Sequence, residues 1–130
     1  MTAEIANKLN NLVIVRKGLV DVVSDGKRAF YVATESSLKR CGGQGDVLSG
    51  SAGTLAHYAE LKRKEQESKE PHEEAESAQA TAGSLSVNPF IIAAVGSCIV
   101  TRSAAKQAYE KNRRALITPD IIKELNISKL

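Results

Sequence analysis

The sequence has no tryptophan, and three tyrosines and two phenylalanines are its only aromatic residues. Any core must therefore be built from Ala, Val, Leu and Ile. Cysteine is scarce: Cys41 and Cys98 cannot make a disulfide framework and stand at no metal-knuckle spacing. That points to a reducing compartment, the cytoplasm first and the mitochondrion second. The excess of one charge over the other is small as well, the net +3 being too little to argue for nucleic acid or an anionic membrane. Long hydrophobic runs are missing. The longest, Phe90–Val95, is far short of the ~20 residues that cross a bilayer, and Met1–Ile5 shows neither an apolar signal region nor a transit pattern. A secreted or membrane-spanning protein is not expected.

What remains is globular material. Hydrophobic residues make up 42% and charged residues 25% of 130 residues, enough for one domain. Ile5, Leu9 and Leu12 fall at helical spacing and predict a short helix over Glu4–Leu12. Leu12–Val15, Leu19–Val23 and Ala29–Val32 are β-type runs. Asp25-Gly26 between the last two predicts a hairpin, with a type I′ turn requiring positive φ at both central residues.

Glycine is concentrated: five of the nine, Gly42, Gly43, Gly45, Gly50 and Gly53, lie within twelve residues. After Asp46, Leu48, Ala52, Leu55, Ala56 and Ala59 trace one face of a helix. Gly50 and Gly53 weaken that helix by about 1 kcal/mol each, so another element is expected to approach closely there. Residues 60–76 carry four basic and seven acidic side chains. Taking these from the chain's 18 and 15 leaves 14 basic against 8 acidic, so the remainder is at +6. With the small residues that follow, this reads as a charged, flexible insertion at about 60–87 without chemistry of its own. Asn88-Pro89 opens a second long helix over Phe90–Tyr109, apolar nearly all round as far as Val100 and so expected to be buried there. Thr118-Pro119-Asp120 opens a last one with Thr118 as cap.

The chemistry is expected at the glycine turn. Gly42-Gly43-Gln44-Gly45 precedes an amphipathic helix whose first N–H groups carry partial positive charge, a cradle for an anion or phosphate. Lys39 and Arg40 add charge upstream. A carboxylate at Asp46 would repel that anion unless it has a task, such as accepting a hydroxyl proton or holding a metal. The combination points to phosphoryl transfer to an alcohol, with Asp46 as base and the glycine amides stabilising the moving charge. Neither G-x-x-x-x-G-K-[ST] nor G-x-G-x-x-G is present.

Lys17-Gly18-Leu19-Val20-Asp21, followed by the hairpin and by Arg40-Cys41-Gly42-Gly43-Gln44-Gly45-Asp46, resembles the C-terminal half of the eukaryotic ATP-dependent NAD(P)H-hydrate dehydratase family, of the ribokinase-like superfamily. The similarity resumes at Ala93–Tyr109 and Leu116–Glu124 and covers about four-fifths of the chain. It implies an α/β fold, the C-terminal portion of a three-layer α/β/α domain with strands and a hairpin first and helices after, residues 1–130 forming part of one domain. It also implies repair of hydrated NADH or NADPH, by ATP-dependent phosphorylation of the added hydroxyl and elimination of phosphate. On this resemblance Asp46 is the base and contacts the hydrate, and Gly43, Gln44 and Gly45 form the anion hole. Lys17, Gly18, Leu19, Val20 and Asp21 border ATP, together with Ser36, Ser37, Leu38, Lys39, Arg40, Cys41 and Gly42. Magnesium would bridge the ATP phosphates, although the sequence offers no compact ligand cluster.

The resemblance also implies a far longer complete member, whose first half supplies most of a central sheet. Val13–Val15 and Leu48–Leu55 are then expected to be exposed, and catalysis to need a separate half or self-association. Two other functions stand beside this one: a ribokinase-like small-molecule kinase releasing a stable phosphate ester, and a non-enzymatic nucleotide-binding fragment. Cys41 is read as packing rather than nucleophilic, Cys98 as a buried hydrophobe, His57 and His72 as without a partner at metal spacing, and Arg102 as a helix-surface arginine.

Overall fold

A computed structural model describes residues 1–68 and 87–125 of the chain. A short helix, α1 (Thr2–Lys8), leads into three strands, β1 (Ile14–Arg16), β2 (Asp21–Ser24) and β3 (Ala29–Val32). Two long helices follow, α2 (Gln44–Glu67) and α3 (Pro89–Asn112), then a 3-10 turn (Arg113–Ala115) and α4 (Thr118–Lys123). The strands form one antiparallel sheet in the order β1-β2-β3, pairing Val15 with Val23 and Val23 with Phe30.

The first helix ends earlier than its apolar spacing predicts. Asn10 and Asn11 adopt left-handed backbone with φ of 57° and 60°, a conformation Asn tolerates better than most residues and a common helix stop. The strand expected from Leu19 begins at Asp21. Asp21 Oδ1 accepts the Gly18 N–H at 3.0 Å, closing a turn that leaves Leu19 and Val20 in solvent.

The hairpin forms at Asp25-Gly26, but not with the tight turn expected. Ser24 pairs with Ala29, so four residues make the connection. Gly26 has φ +90°, and Asp25 is not in the left-handed region. The Asp25 carboxylate instead accepts the N–H groups of Lys27 and Arg28, both at 3.0 Å, organising the loop as an Asx turn. A side chain at position 26 would run into Asn7 of α1 as well as meet the backbone strain.

Every residue of β2 is buried. Because side chains alternate across a strand, both faces of β2 are covered. Val23 packs with Val32, Ile91, Ala94 and Cys98, joining the sheet to the first half of α3. A second cluster joins α2, α3 and α4 through Val47, Ala104, Ala105, Ala108, Leu116 and Ile121. Val13, Val15 and Leu48 pack partly against the first cluster, so the exposure expected of them is only partial. The small residues of α3 let α2 lie close along it, which compensates for the shortage of aromatic rings.

Asn88 caps α3 through its side chain, accepting the Phe90 N–H at 3.0 Å, with Pro89 in the first turn as expected. The apolar half of α3 is not buried all round, since Phe90 and Ile92 are exposed. Pro89–Ala115 is long and apolar enough to cross a membrane by length and composition, with mean hydropathy 1.2. Its most apolar stretch is half buried against the rest of the protein, the pattern of a core helix. No close neighbour compensates Gly50 or Gly53: a methyl group at either would meet nothing within 4 Å. Residues 60–67 belong to α2, where Glu60 pairs with Arg63 at 2.8 Å and Lys64 at 3.6 Å. Residues 69–86 of the expected insertion, with His72, lie outside the described residues.

Candidate functional site

The glycine turn opens α2. Gly43 caps the helix with φ +89° and without a side-chain hydrogen bond. Its carbonyl accepts the N–H of Asp46 at 3.0 Å and of Val47 at 3.1 Å, so the N–H groups of Gln44 and Gly45 precede the first hydrogen-bonded turn and stay available to an anion. Asp46 is solvent-exposed, and its carboxylate makes no hydrogen bond or ion pair among the described residues.

Lys17 comes to this turn from the far end of the K-G-L-V-D segment. A methyl group placed on Gly45 would lie 2.8 Å from Lys17 Nζ. The ammonium thus stands beside the exposed amides and makes no hydrogen bond or ion pair among the described residues. Cation and helix-start dipole favour the same charge, an anion.

The loop between β3 and α2 is fastened along α3 and α4 in register with the rising sequence. Arg102 Nε donates to the Thr34 carbonyl at 2.5 Å, and Lys106 pairs with Glu35. Lys39 Nζ donates to the carbonyls of Arg114 at 2.6 Å and Leu116 at 2.9 Å. Thr118 Oγ1 donates to the Gly42 carbonyl and lies 3.5 Å from Cys41 Sγ. Four attachments therefore lead the backbone to the turn.

Several of these roles differ from the sequence reading. The Lys39 ammonium is engaged by two carbonyls rather than aimed at the turn. Thr118 does not cap α4: Asp120 Oδ2 accepts the Ile117 N–H at 3.2 Å, while Thr118 secures the glycine turn. Arg102 is not a surface arginine. Its side chain is 13% exposed and pairs with Asp21 at 3.0 Å. It also donates to the Leu19 carbonyl at 2.6 Å and, more distantly, to that of Gly18 at 3.4 Å. Nothing in the sequence signals this convergence, because the carbonyls it gathers belong to two separate loops.

The other residues assigned to ATP lie in those two loops. Ser37 Oγ donates to the Lys39 carbonyl, Ser36 is half-buried, and the Gln44 amide reaches the Lys39 carbonyl at 3.4 Å. Arg40 is exposed. Leu19 and Leu38 are each 89% exposed, available to an apolar ring. Cys41 is half-buried against the second cluster. Cys98 is fully buried, and burial, with the nearby Asp21 charge, pushes its thiol up to about 11.

Beside the turn lies a cleft of about 500 Å³ between α2, α3 and α4. Asp46, Gly43 and Thr118 stand on its wall with the apolar side chains of Val47, Leu55 and Val100. Among the described residues no three His, Cys, Asp or Glu side chains converge on a metal position. Those residues do not fit a resident magnesium ion.

A small antiparallel sheet passing through an anion-receptive glycine turn into paired long helices defines an α/β protein. The sequence profile of the family described as NAD(P)H-hydrate dehydratase matches residues 1–126, and the chain belongs to that family. It is 38% identical over 121 residues to the ATP-dependent (S)-NAD(P)H-hydrate dehydratase of Bos taurus, covering 93% of this chain and 32% of the relative. Identity to the Homo sapiens protein of that name is 37% over 121 residues, covering 93% and 30%. The Danio rerio protein is 38% identical over 118 residues, covering 91% and 31%. The chain spans about a third of the length of these curated relatives.

Proposed function

We propose that this chain supplies the phosphoryl-transfer end of an ATP-dependent (S)-NAD(P)H-hydrate dehydratase, a lyase that returns hydrated nicotinamide cofactors to NADH or NADPH. The observation that carries the reading is the meeting of Lys17 with Gly45, next to an exposed Asp46. Cation, backbone N–H groups and carboxylate then stand in one small region, as transfer of a phosphoryl group to an alcohol requires.

In this reading Asp46 takes the proton from the hydroxyl of the hydrate. The hydroxyl oxygen attacks the γ-phosphorus of ATP, and the bond to the bridging oxygen breaks to release ADP. Lys17 and the N–H groups of Gln44 and Gly45 stabilise the negative charge on the moving group. The phosphorylated carbon then loses phosphate as its C–O bond breaks, and the adjacent carbon gives up a proton, restoring the ring double bond. Phosphate leaves readily where hydroxide would not. The apolar cleft beside Asp46 suits the ring of the hydrate, and Leu19 and Leu38 suit the base of ATP. The cytoplasm or mitochondrion is the proposed compartment.

The test is a chimaera in which residues 1–126 replace the matched third of the Bos taurus relative. With ATP and hydrate it is expected to restore dihydronicotinamide absorbance and release inorganic phosphate. Asp46→Asn is expected to lower turnover by about a hundredfold or more while sparing most ATP binding. Retained turnover in that variant would overturn the assignment of the base, and a stable phosphate ester as product would instead establish a kinase.

A further inference from the structure

Arg102 holds both loops assigned to ATP. Its guanidinium donates to the Leu19 carbonyl at 2.6 Å, to Asp21 Oδ2 at 3.0 Å and to the Thr34 carbonyl at 2.5 Å. The other Asp21 oxygen accepts the Gly18 N–H at 3.0 Å, so Asp21 and Arg102 together clasp the Gly18–Asp21 turn. Lys17 is the residue immediately before that clasp.

We propose that Arg102 is the positioning residue of the site: from α3 it fixes the 18–21 turn against the 34–43 loop, and so holds the Lys17 ammonium over Gly45. The proposal rests on the nucleotide reading above and adds to it a residue that never touches the nucleotide. The geometry favours arginine specifically. A planar fork with five N–H donors satisfies acceptors lying in different directions, whereas a lysine ammonium, a point charge, cannot span them. An ion pair this little exposed is sensitive to loss of either partner, because the survivor is left with a poorly solvated charge. Lys17, by contrast, ends in solvent, and its direction is set only by the backbone from which it springs.

The experiment titrates the full chain with a fluorescent ATP analogue, comparing the parent with Lys17→Ala, Arg102→Lys and the double variant. Lys17→Ala is expected to weaken binding about tenfold, as loss of a charged hydrogen-bonding group does. Arg102→Lys is expected to weaken it severalfold, and the double variant to bind no worse than Lys17→Ala alone. A merely structural arginine would multiply the two losses. Multiplied losses, or parental affinity in Arg102→Lys, would overturn the proposal while leaving the nucleotide reading intact. A parent chain that does not bind the analogue would overturn both. Should circular dichroism find Arg102→Lys unfolded, Asp21→Asn takes its place: it keeps an acceptor for the Gly18 N–H, removes the charge that Arg102 pairs with, and is expected to be non-additive with Lys17→Ala in the same way.

Discussion

Thr118, at the start of α4, stands against Gly43 at the start of α2: a methyl group on Gly43 would lie 3.0 Å from the Thr118 hydroxyl oxygen and 3.1 Å from its methyl carbon. Since Gly43 also has φ +89°, two independent constraints require glycine. Gly43→Ala is therefore expected to lower the stability of the chain by about 1–3 kcal/mol, the usual strain of a side chain in an unfavoured backbone region. Urea denaturation followed by circular dichroism measures it. An alanine variant as stable as the parent would mean that the turn reaches the helix by another backbone path.

At Gly45 the neighbour is softer. A methyl group there would meet only the end of the Lys17 side chain, which can swing into solvent. Gly45→Val is expected to leave stability nearly unchanged and to weaken ATP binding at least about tenfold, by displacing the ammonium and by crowding the amides. Unchanged affinity would remove both groups from the anion site.

The two cysteines provide a contrast that labelling can read. Cys98 is buried, and its thiol is pushed up to about 11, so it stays protonated and unreactive at pH 8. Native protein treated with iodoacetamide at that pH is expected to be alkylated at Cys41 well before Cys98, as mass spectrometry of peptides would reveal. Equal labelling would show that the α3–sheet contact opens readily.

Much of the local structure was legible in the sequence because it is written in short range. Asn88-Pro89 announces the start of α3, Asp25-Gly26 the hairpin, and the glycine cluster the start of α2. The α/β class was implied by the family resemblance that the Lys17–Asp21 and Arg40–Asp46 segments carry. The hairpin's four-residue loop escaped because the Asp25 side chain can organise a longer connection than the tight turn that Asp-Gly favours. Arg102, Thr118 and Lys39 escaped for a different reason. Each bonds mainly to backbone carbonyls distant in the sequence, and a carbonyl carries no sequence signal. Gly50 and Gly53 misled in the opposite direction, since their lack of side chains is matched by no approaching element. The proximity of Lys17 to Gly45 joined two motifs that the sequence presents only separately.

Asp25 gives a pH dependence whose sign follows from its surroundings. Burial, the largest single influence, works to raise its carboxyl pKa, but the N–H groups of Arg28 and Lys27 and the charge of Lys27 together outweigh it and hold the group below its ordinary 3.8. A lowered value in the folded chain means that the ionised carboxylate stabilises the fold at and above the ordinary value, and that this contribution fades as pH falls through the lowered one. Asp25→Asn retains an acceptor for the loop but neither charge nor titration. Urea midpoints of parent and variant are therefore expected to differ most near neutral pH, with the parent the more stable, and to converge on acidification below 3.8. A gap that stays constant down to pH 2, or one that widens as pH falls, would show that the charge at Asp25 does not hold the hairpin loop.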